Sequence, residues 1–299
     1  MIHAQQYLRP EVARQVRRLD LRAKFIVEGF LAGLNDSPYR GFSPEFSEHR
    51  KYAPGDDPKD LDWTKWARTD RLYVKTFQAE SNLEAYILVD TSRSMAYAGQ
   101  PGAMTKLEYA TALAAALGYL LVHQRDAVGL GLIGSRLNRL LRPRASRSQL
   151  VRVLAELAQA GGEGPTCLAP GLHAVARQAK RRGLMLLLSD LVDEPESVLE
   201  ALRHLAFRGH DVVVFHILDS AERHLNFAGP VILEDPETGA RVATDADHIR
   251  LAYARRVEAF VDHYRRGVGE LGGDFVAMTT STPFDKALCR FLADRKRRF

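Results

Sequence analysis

Two cysteines, Cys167 and Cys289, in 299 residues are too few and too far apart for a disulfide framework or a zinc cluster, so each is read as a packing residue. The ten histidines form no H-E-x-x-H pairing, which removes the metalloprotease signature. A G-x-S-x-G elbow is missing as well, and with it the usual mark of a serine hydrolase. No stretch approaches the roughly 18 to 20 continuous apolar residues that cross a bilayer. The opening, Met1 to Pro10, lacks the apolar core of a signal peptide. Together these absences predict a cytoplasmic protein with no membrane span.

What is present is a globular composition, 46% hydrophobic and 26% charged, with a net charge of +5. The length allows one large or two ordinary domains, each with a sizeable core. The basic residues gather in an N-terminal segment (Arg9, Arg14, Arg17, Arg18, Arg22, Lys24) and a C-terminal tail (Arg295 to Arg298). In the first they alternate with Val12, Val16, Leu19, Phe25 and Ile26 at helical spacing, which fits the solvated face of an amphipathic helix. The second suits a helix C-terminus, where cations complement the macrodipole. Nucleic acid is not the expected partner, because no aromatic interleaving or reading motif accompanies the charge.

From Leu83 onward the pattern alternates. Strands are expected at 83–89, 127–134, 137–141, 184–188, 212–218 and 275–279, and helices at 106–124 (capped by Thr105), 146–159, 168–182, 197–207 and 250–271, with a last helix at the C-terminus. Near-continuous apolar strands between helices predict an α/β fold, a doubly wound, mostly parallel sheet covered on both faces. Val231 to Ala243, turning through Asp235-Pro236-Glu237-Thr238-Gly239, reads as a β-hairpin inserted at about 229–245. Residues 1–80 are expected to be an N-terminal helix and extended segment packing on the core, and they carry both tryptophans, Trp63 and Trp66. Their Arg71–Phe77 stretch alternates like a strand and is expected to pair with the Leu83 strand. The acids Asp56, Asp57, Asp60 and Asp62 lack an EF-hand's glycine and are interleaved with lysines, so a turn and a charge-laced short helix fit them better than a calcium loop.

The Leu83 strand runs into Asp90-Thr91-Ser92-Arg93-Ser94-Met95. Serines two and four residues after an aspartate put three oxygen side chains in one tight loop, a set that hard divalent cations favour. The same residues could equally make a turn that caps the next helix. Two more oxygens are placed to reach this loop: Asp190, at the end of the Leu184 strand, and Thr166, after the glycine-rich run Gly161 to Pro165. If the two strands are neighbours where strand order reverses, both aspartates face one crevice.

In these residues the chain resembles von Willebrand A-type domains, whose metal-ion-dependent adhesion site has the pattern Asp-x-Ser-x-Ser, then a loop threonine, then a strand-end aspartate. The resemblance implies that Asp90, Ser92, Ser94, Thr166 and Asp190 hold Mg²⁺, or Mn²⁺ or Ca²⁺, with one position left for a partner's Asp or Glu. The G-D-D-P-K-D-L-D-W segment from Gly55, F-Q-A-E from Phe77, D-T-S-R-S-M and the D-P-E-T-G turn together resemble the domain of unknown function 58 family. That likeness implies a von Willebrand A-like core and association with a MoxR-type AAA+ ATPase.

The expected function is therefore non-enzymatic: a metal-dependent protein-interaction module, serving as adaptor or co-chaperone in the assembly of a client complex. Glu163, close to Thr166, is placed to fill the open position in the free protein. The competing reading is a Mg²⁺-dependent phosphohydrolase of the haloacid-dehalogenase type with Asp90 as nucleophile. That chemistry needs a second acid two residues on, where this chain has Ser92.

Overall fold

The computed structural model describes residues 18–24, 26–27, 49–51, 66, 72–75, 83–162 and 164–284. The chain divides into two compact units, Gly33–Asn82 and the remainder. In the smaller unit, β1 (His49–Lys51) and β2 (Tyr73–Lys75) pair antiparallel. The pairing expected between β2 and the Leu83 strand is not made. That strand, β3 (Glu84–Asp90), has a parallel neighbour on each edge and so no free edge to offer. The Asp56 to Asp62 cluster, Trp63, Glu163, Cys289 and the C-terminal helix lie outside the described residues.

The larger unit follows the expected alternation. After β3 come α1 (Lys106–His123), β4 (Ala127–Ile133), β5 (Leu137–Arg144), α2 (Arg147–Ala158), α3 (Leu168–Gln178), β6 (Gly183–Ser189), α4 (Pro195–Phe207) and β7 (Asp211–Leu218). Then follow α5 (Ser220–His224), the hairpin β8 (Pro230–Glu234) and β9 (Arg241–Asp245), α6 (Ala246–Glu270) and β10 (Asp274–Thr279). Six strands form one sheet in the order β10-β7-β6-β3-β4-β5. Every pairing is parallel except β4 with β5 at the edge. Counted along the chain, this is the doubly wound order 3-2-1-4-5-6. The hairpin forms its own two-stranded sheet.

Burial explains the strand sequences. All of β6 is buried, and β3 is buried after its first residue. Ile87, Leu88, Leu186 and Leu187 are each at most 1% exposed, and each such side chain contributes about 1.5–3 kcal/mol through removal from water. Tyr86, Leu88, Met185 and Leu187 pack with α3, α4 and α6 in one cluster. Helix α1 is buried almost all round, which its alanines permit, and Thr105 with Glu108 closes its start as a reciprocal capping box. Helix α6 begins four residues earlier than expected, at Ala246, because Asp245 accepts from the backbone N–H groups of Asp247 and His248. The short α5 went unpredicted although Asp219 and Glu222 carry the same capping-box spacing. No helix among the described residues is long and apolar enough to cross a membrane.

Candidate metal centre at the sheet's switch point

Strands β3 and β6 lie side by side, Leu88 opposite Leu187 and Val89 opposite Leu188, while β4 flanks β3 on the other edge. Strand order therefore reverses at β3, and the crevice beyond its carboxyl end is the place where doubly wound folds bind ligands. Asp90 and Asp190 emerge there, both fully buried.

The loop after β3 is held by its own polar groups. Thr91 donates to the Ile133 carbonyl from both its amide, at 2.6 Å, and its hydroxyl, at 3.0 Å. The Ser92 amide donates to Asp90 Oδ1 at 2.9 Å, and the Ser189 hydroxyl donates to Asp90 Oδ2 at 2.6 Å. Each Asp90 oxygen thus has a protein partner. Ser92, also fully buried, has its Oγ 3.0 Å from Ser94 Oγ. Ser94 Oγ in turn lies 3.5 Å from Thr166 Oγ1.

Two glycines bring Thr166 to this place. Gly164 has φ +77°, a backbone favoured by glycine, and its carbonyl accepts from the Arg93 amide at 2.9 Å. Gly162 passes so close that an added Cβ would lie 2.8 Å from Ala96 Cβ and 3.1 Å from the Ser92 carbonyl oxygen. The breaker run therefore presses one loop onto the other.

Asp190 is held differently. Its Oδ2 accepts from Lys106 Nζ at 2.7 Å, and its Oδ1 from the Val192 amide at 3.3 Å. Lys106 also reaches Glu222 Oε1 at 2.6 Å and lies 5.7 Å from the Tyr97 ring centroid. The chain turns sharply after Asp190 because Leu191, fully buried, takes φ +58°. That conformation costs a non-glycine residue about 1–3 kcal/mol, and its carbonyl is held by the Tyr264 hydroxyl at 3.3 Å. His216 Nε2 lies 3.0 Å from the Asp190 carbonyl oxygen.

The charges are interdependent. Burial, and then the charge of Asp190, push Asp90 up from 3.8 to about 7, against hydrogen bonds from Ser189 and Ser92. Burial pulls the Lys106 ammonium down, but Asp190 and Glu222 outweigh it and hold the group above the usual lysine range. Burial raises Glu222, with Lys106 opposing. Burial lowers His216 to about 4, despite Asp190, so the imidazole is neutral near neutral pH.

All five residues expected at the site meet at this end of the sheet. Three participants were not foreseen. Lys106 had been counted only as the start of a helix, and Glu222 sat in the unpredicted α5. The third is Glu237, in the hairpin turn. Its Oε2 accepts from the Thr166 amide at 2.9 Å and its Oε1 from the Thr166 hydroxyl. The sequence shows an acid inside the D-P-E-T-G turn but not where the turn rests.

Among the described residues no group of three or more His, Cys, Asp and Glu side chains is gathered to hold a metal ion. The donors here are of another kind: the Ser92, Ser94 and Thr166 hydroxyls in front, with two ionisable carboxylates directly behind. An all-oxygen set backed by negative charge fits a hard cation such as Mg²⁺.

The chain is 28% identical over 292 residues to the uncharacterised protein Rv1480 of Mycobacterium tuberculosis, spanning 96% of this chain and 91% of that one. Among solved structures it is similar to the conserved hypothetical protein BatB of Bacteroides thetaiotaomicron. That match has a TM-score of 0.47 at 14% identity and covers 72% of this chain and 99% of the other. It is also similar to the VWA domain of SpRpn10, with a TM-score of 0.38 at 12% identity, over 69% of this chain and 93% of that one. Residues 48–261 match the family described as "Protein of unknown function DUF58", a match over more than half the sequence, and the chain belongs to that family.

Proposed function

We propose that this protein is a non-enzymatic, metal-dependent protein-interaction module. One observation carries the reading: hydroxyls from two separate loops, Ser92, Ser94 and Thr166, converge in front of two buried carboxylates at the switch point of the sheet. Ser92, Ser94 and Thr166 would be the direct ligands. Asp90 and Asp190, whose oxygens already have protein partners, would supply charge from behind. A bound Mg²⁺, Mn²⁺ or Ca²⁺ would offer an oxygen-seeking position to an Asp or Glu of a partner. Capture of a single carboxylate by a fixed cation is strong and geometrically selective, which suits an adaptor.

The partner we propose is a MoxR-type AAA+ ATPase or its client in the cytoplasm, with the module helping to assemble or mature a complex. Support against the phosphohydrolase alternative comes from Asp90 itself. A nucleophile must present an oxygen to substrate, whereas the Asp90 side chain is fully buried.

The test is a Mn²⁺ titration of the full chain by calorimetry. Wild type should take up one ion and Ser92→Ala should lose roughly 100-fold or more in affinity, at least the range seen for removal of groups that only support a ligand. A MoxR-type ATPase should then be retained on immobilised wild type in Mg²⁺ but not in EDTA, and not by Asp90→Ala. Equal retention in all cases, or no Mn²⁺ uptake, sinks the reading.

A further inference from the structure

The hairpin β8–β9 stands outside the main sheet, and its turn is exposed at every residue from Asp235 to Ala240 but one. The exception is Glu237, which is half-buried. The turn is built to aim that residue. Asp235 Oδ1 accepts from the Glu237 amide at 2.9 Å, the Asp235 carbonyl accepts from the Gly239 amide at 2.8 Å, and Gly239 has φ +73°. The Arg93 guanidinium, from within the D-T-S-R-S-M loop, donates to the Pro236 carbonyl at 3.4 Å. The tip is thus fastened to both loops of the site, to Thr166 by Glu237 and to the Ser92 loop by Arg93.

We infer that Glu237 is an intramolecular ligand of the metal centre, occupying the position a partner's carboxylate would take, so that the hairpin keeps the site closed until it is displaced. This rests on the metal-dependent reading above and adds its regulation. The geometry is specific: the carboxylate engages Thr166 through both amide and hydroxyl, and Thr166 is the hydroxyl on the rim of the cluster. Charge argues the same way. Asp90, Asp190, Glu222 and Glu237 are gathered about this end of the sheet, against the Lys106 ammonium, already shared by Asp190 and Glu222, and the exposed Arg93 guanidinium at the hairpin tip. Adding a carboxylate to such a place is unfavourable unless a cation compensates it. A tethered acid also competes at high effective concentration, of millimolar order for short flexible tethers. A partner must therefore present its acid together with contacts that lift the hairpin.

The experiment measures Mn²⁺ affinity and hydrogen exchange at 235–240 and at the Thr166 amide, in wild type, Glu237→Gln, Ser92→Ala and Glu234→Gln. Glu234 lies in the same hairpin, paired to Arg241 at 2.8 Å and well exposed, and serves as control for hairpin folding. The expected result is Mn²⁺ binding about tenfold weaker in Glu237→Gln, the equivalent of 1.4 kcal/mol, and unchanged in Glu234→Gln. Mn²⁺ should slow exchange at the tip in wild type and leave it unchanged in Glu237→Gln. If wild type binds Mn²⁺, Ser92→Ala does not, and Glu237→Gln matches wild type with a metal-insensitive tip, the self-ligand is refuted while the metal centre stands. Equal weakening by Glu234→Gln also refutes it, since hairpin folding and not the carboxylate would then be responsible. No Mn²⁺ uptake by wild type overturns both, leaving Glu237 as an ordinary cap on Thr166.

Discussion

The two sides of the site differ in how their charges are kept. Behind the hydroxyls, Asp90, Asp190 and Lys106 are wholly buried, Asp90 held by Ser92 and Ser189 and Asp190 by Lys106. In front, Glu237 reaches the cluster from an exposed turn whose two strands pair with each other and with no other described strand. A buried charge can be lost only at great cost, whereas a charge on an exposed hairpin can leave with the hairpin. The buried side can therefore hold a fixed geometry while the front side opens and closes.

Breaking the buried side should give the largest effect. Lys106→Met removes the ammonium between Asp190 and Glu222 and leaves the fully buried Asp190 uncompensated, which costs about 3–5 kcal/mol. Urea denaturation measures it, and a loss below 1 kcal/mol would mean that water reaches this carboxylate.

Next in size is a pair of opposed pH dependences in metal-free protein. Asp90, raised from 3.8 to about 7, holds a proton in the folded state that the unfolded chain releases. Its ionisation cost is absent below about pH 4 and complete above about pH 7. His216, lowered from 6.5 to about 4, does the reverse: the unfolded chain takes up a proton that the folded one refuses, so stability is lost as pH falls from 6.5 to about 4. The effects are on the order of 4 and 3 kcal/mol, and in wild type they oppose each other. His216→Gln should therefore become less stable as pH rises through this window, and Asp90→Asn less stable as pH falls. Parallel slopes in the two variants would contradict the assignment.

The smallest effect belongs to the front. Glu237→Gln should change metal-free stability by less than about 1 kcal/mol, because it removes only partly exposed hydrogen bonds from a local element. A loss as large as that of Lys106→Met would erase the distinction between the two sides.

Much of the fold was legible because most strands and helices of the larger unit declared themselves locally. The all-apolar β6 and the alternation of β-type and helical periods set the doubly wound class, and Asp90, Ser92 and Ser94 could be placed together because two and four residues of one loop separate them. Thr166 and Asp190 were legible as strand-end and loop oxygens once β3 and β6 were taken as neighbours. Glu237 and Lys106 were not. Nothing in D-P-E-T-G tells which surface the turn rests on, and the Lys106 position reads as the first turn of an ordinary helix. The pairing of β2 was misread for a similar reason, since sequence proximity favoured β3 and only the sheet reveals that both β3 edges are taken.

By itself the sequence determined the α/β alternation, the switch-point loop with its three oxygens, and the presence of an inserted hairpin, because these depend on periodicity and on residues close in the chain. Only the tertiary structure decided that Lys106 neutralises Asp190 across 84 residues and that Glu237 meets Thr166 across 71. Contacts between such distant segments follow from the packing of whole elements, which leaves no local mark on the residues that meet.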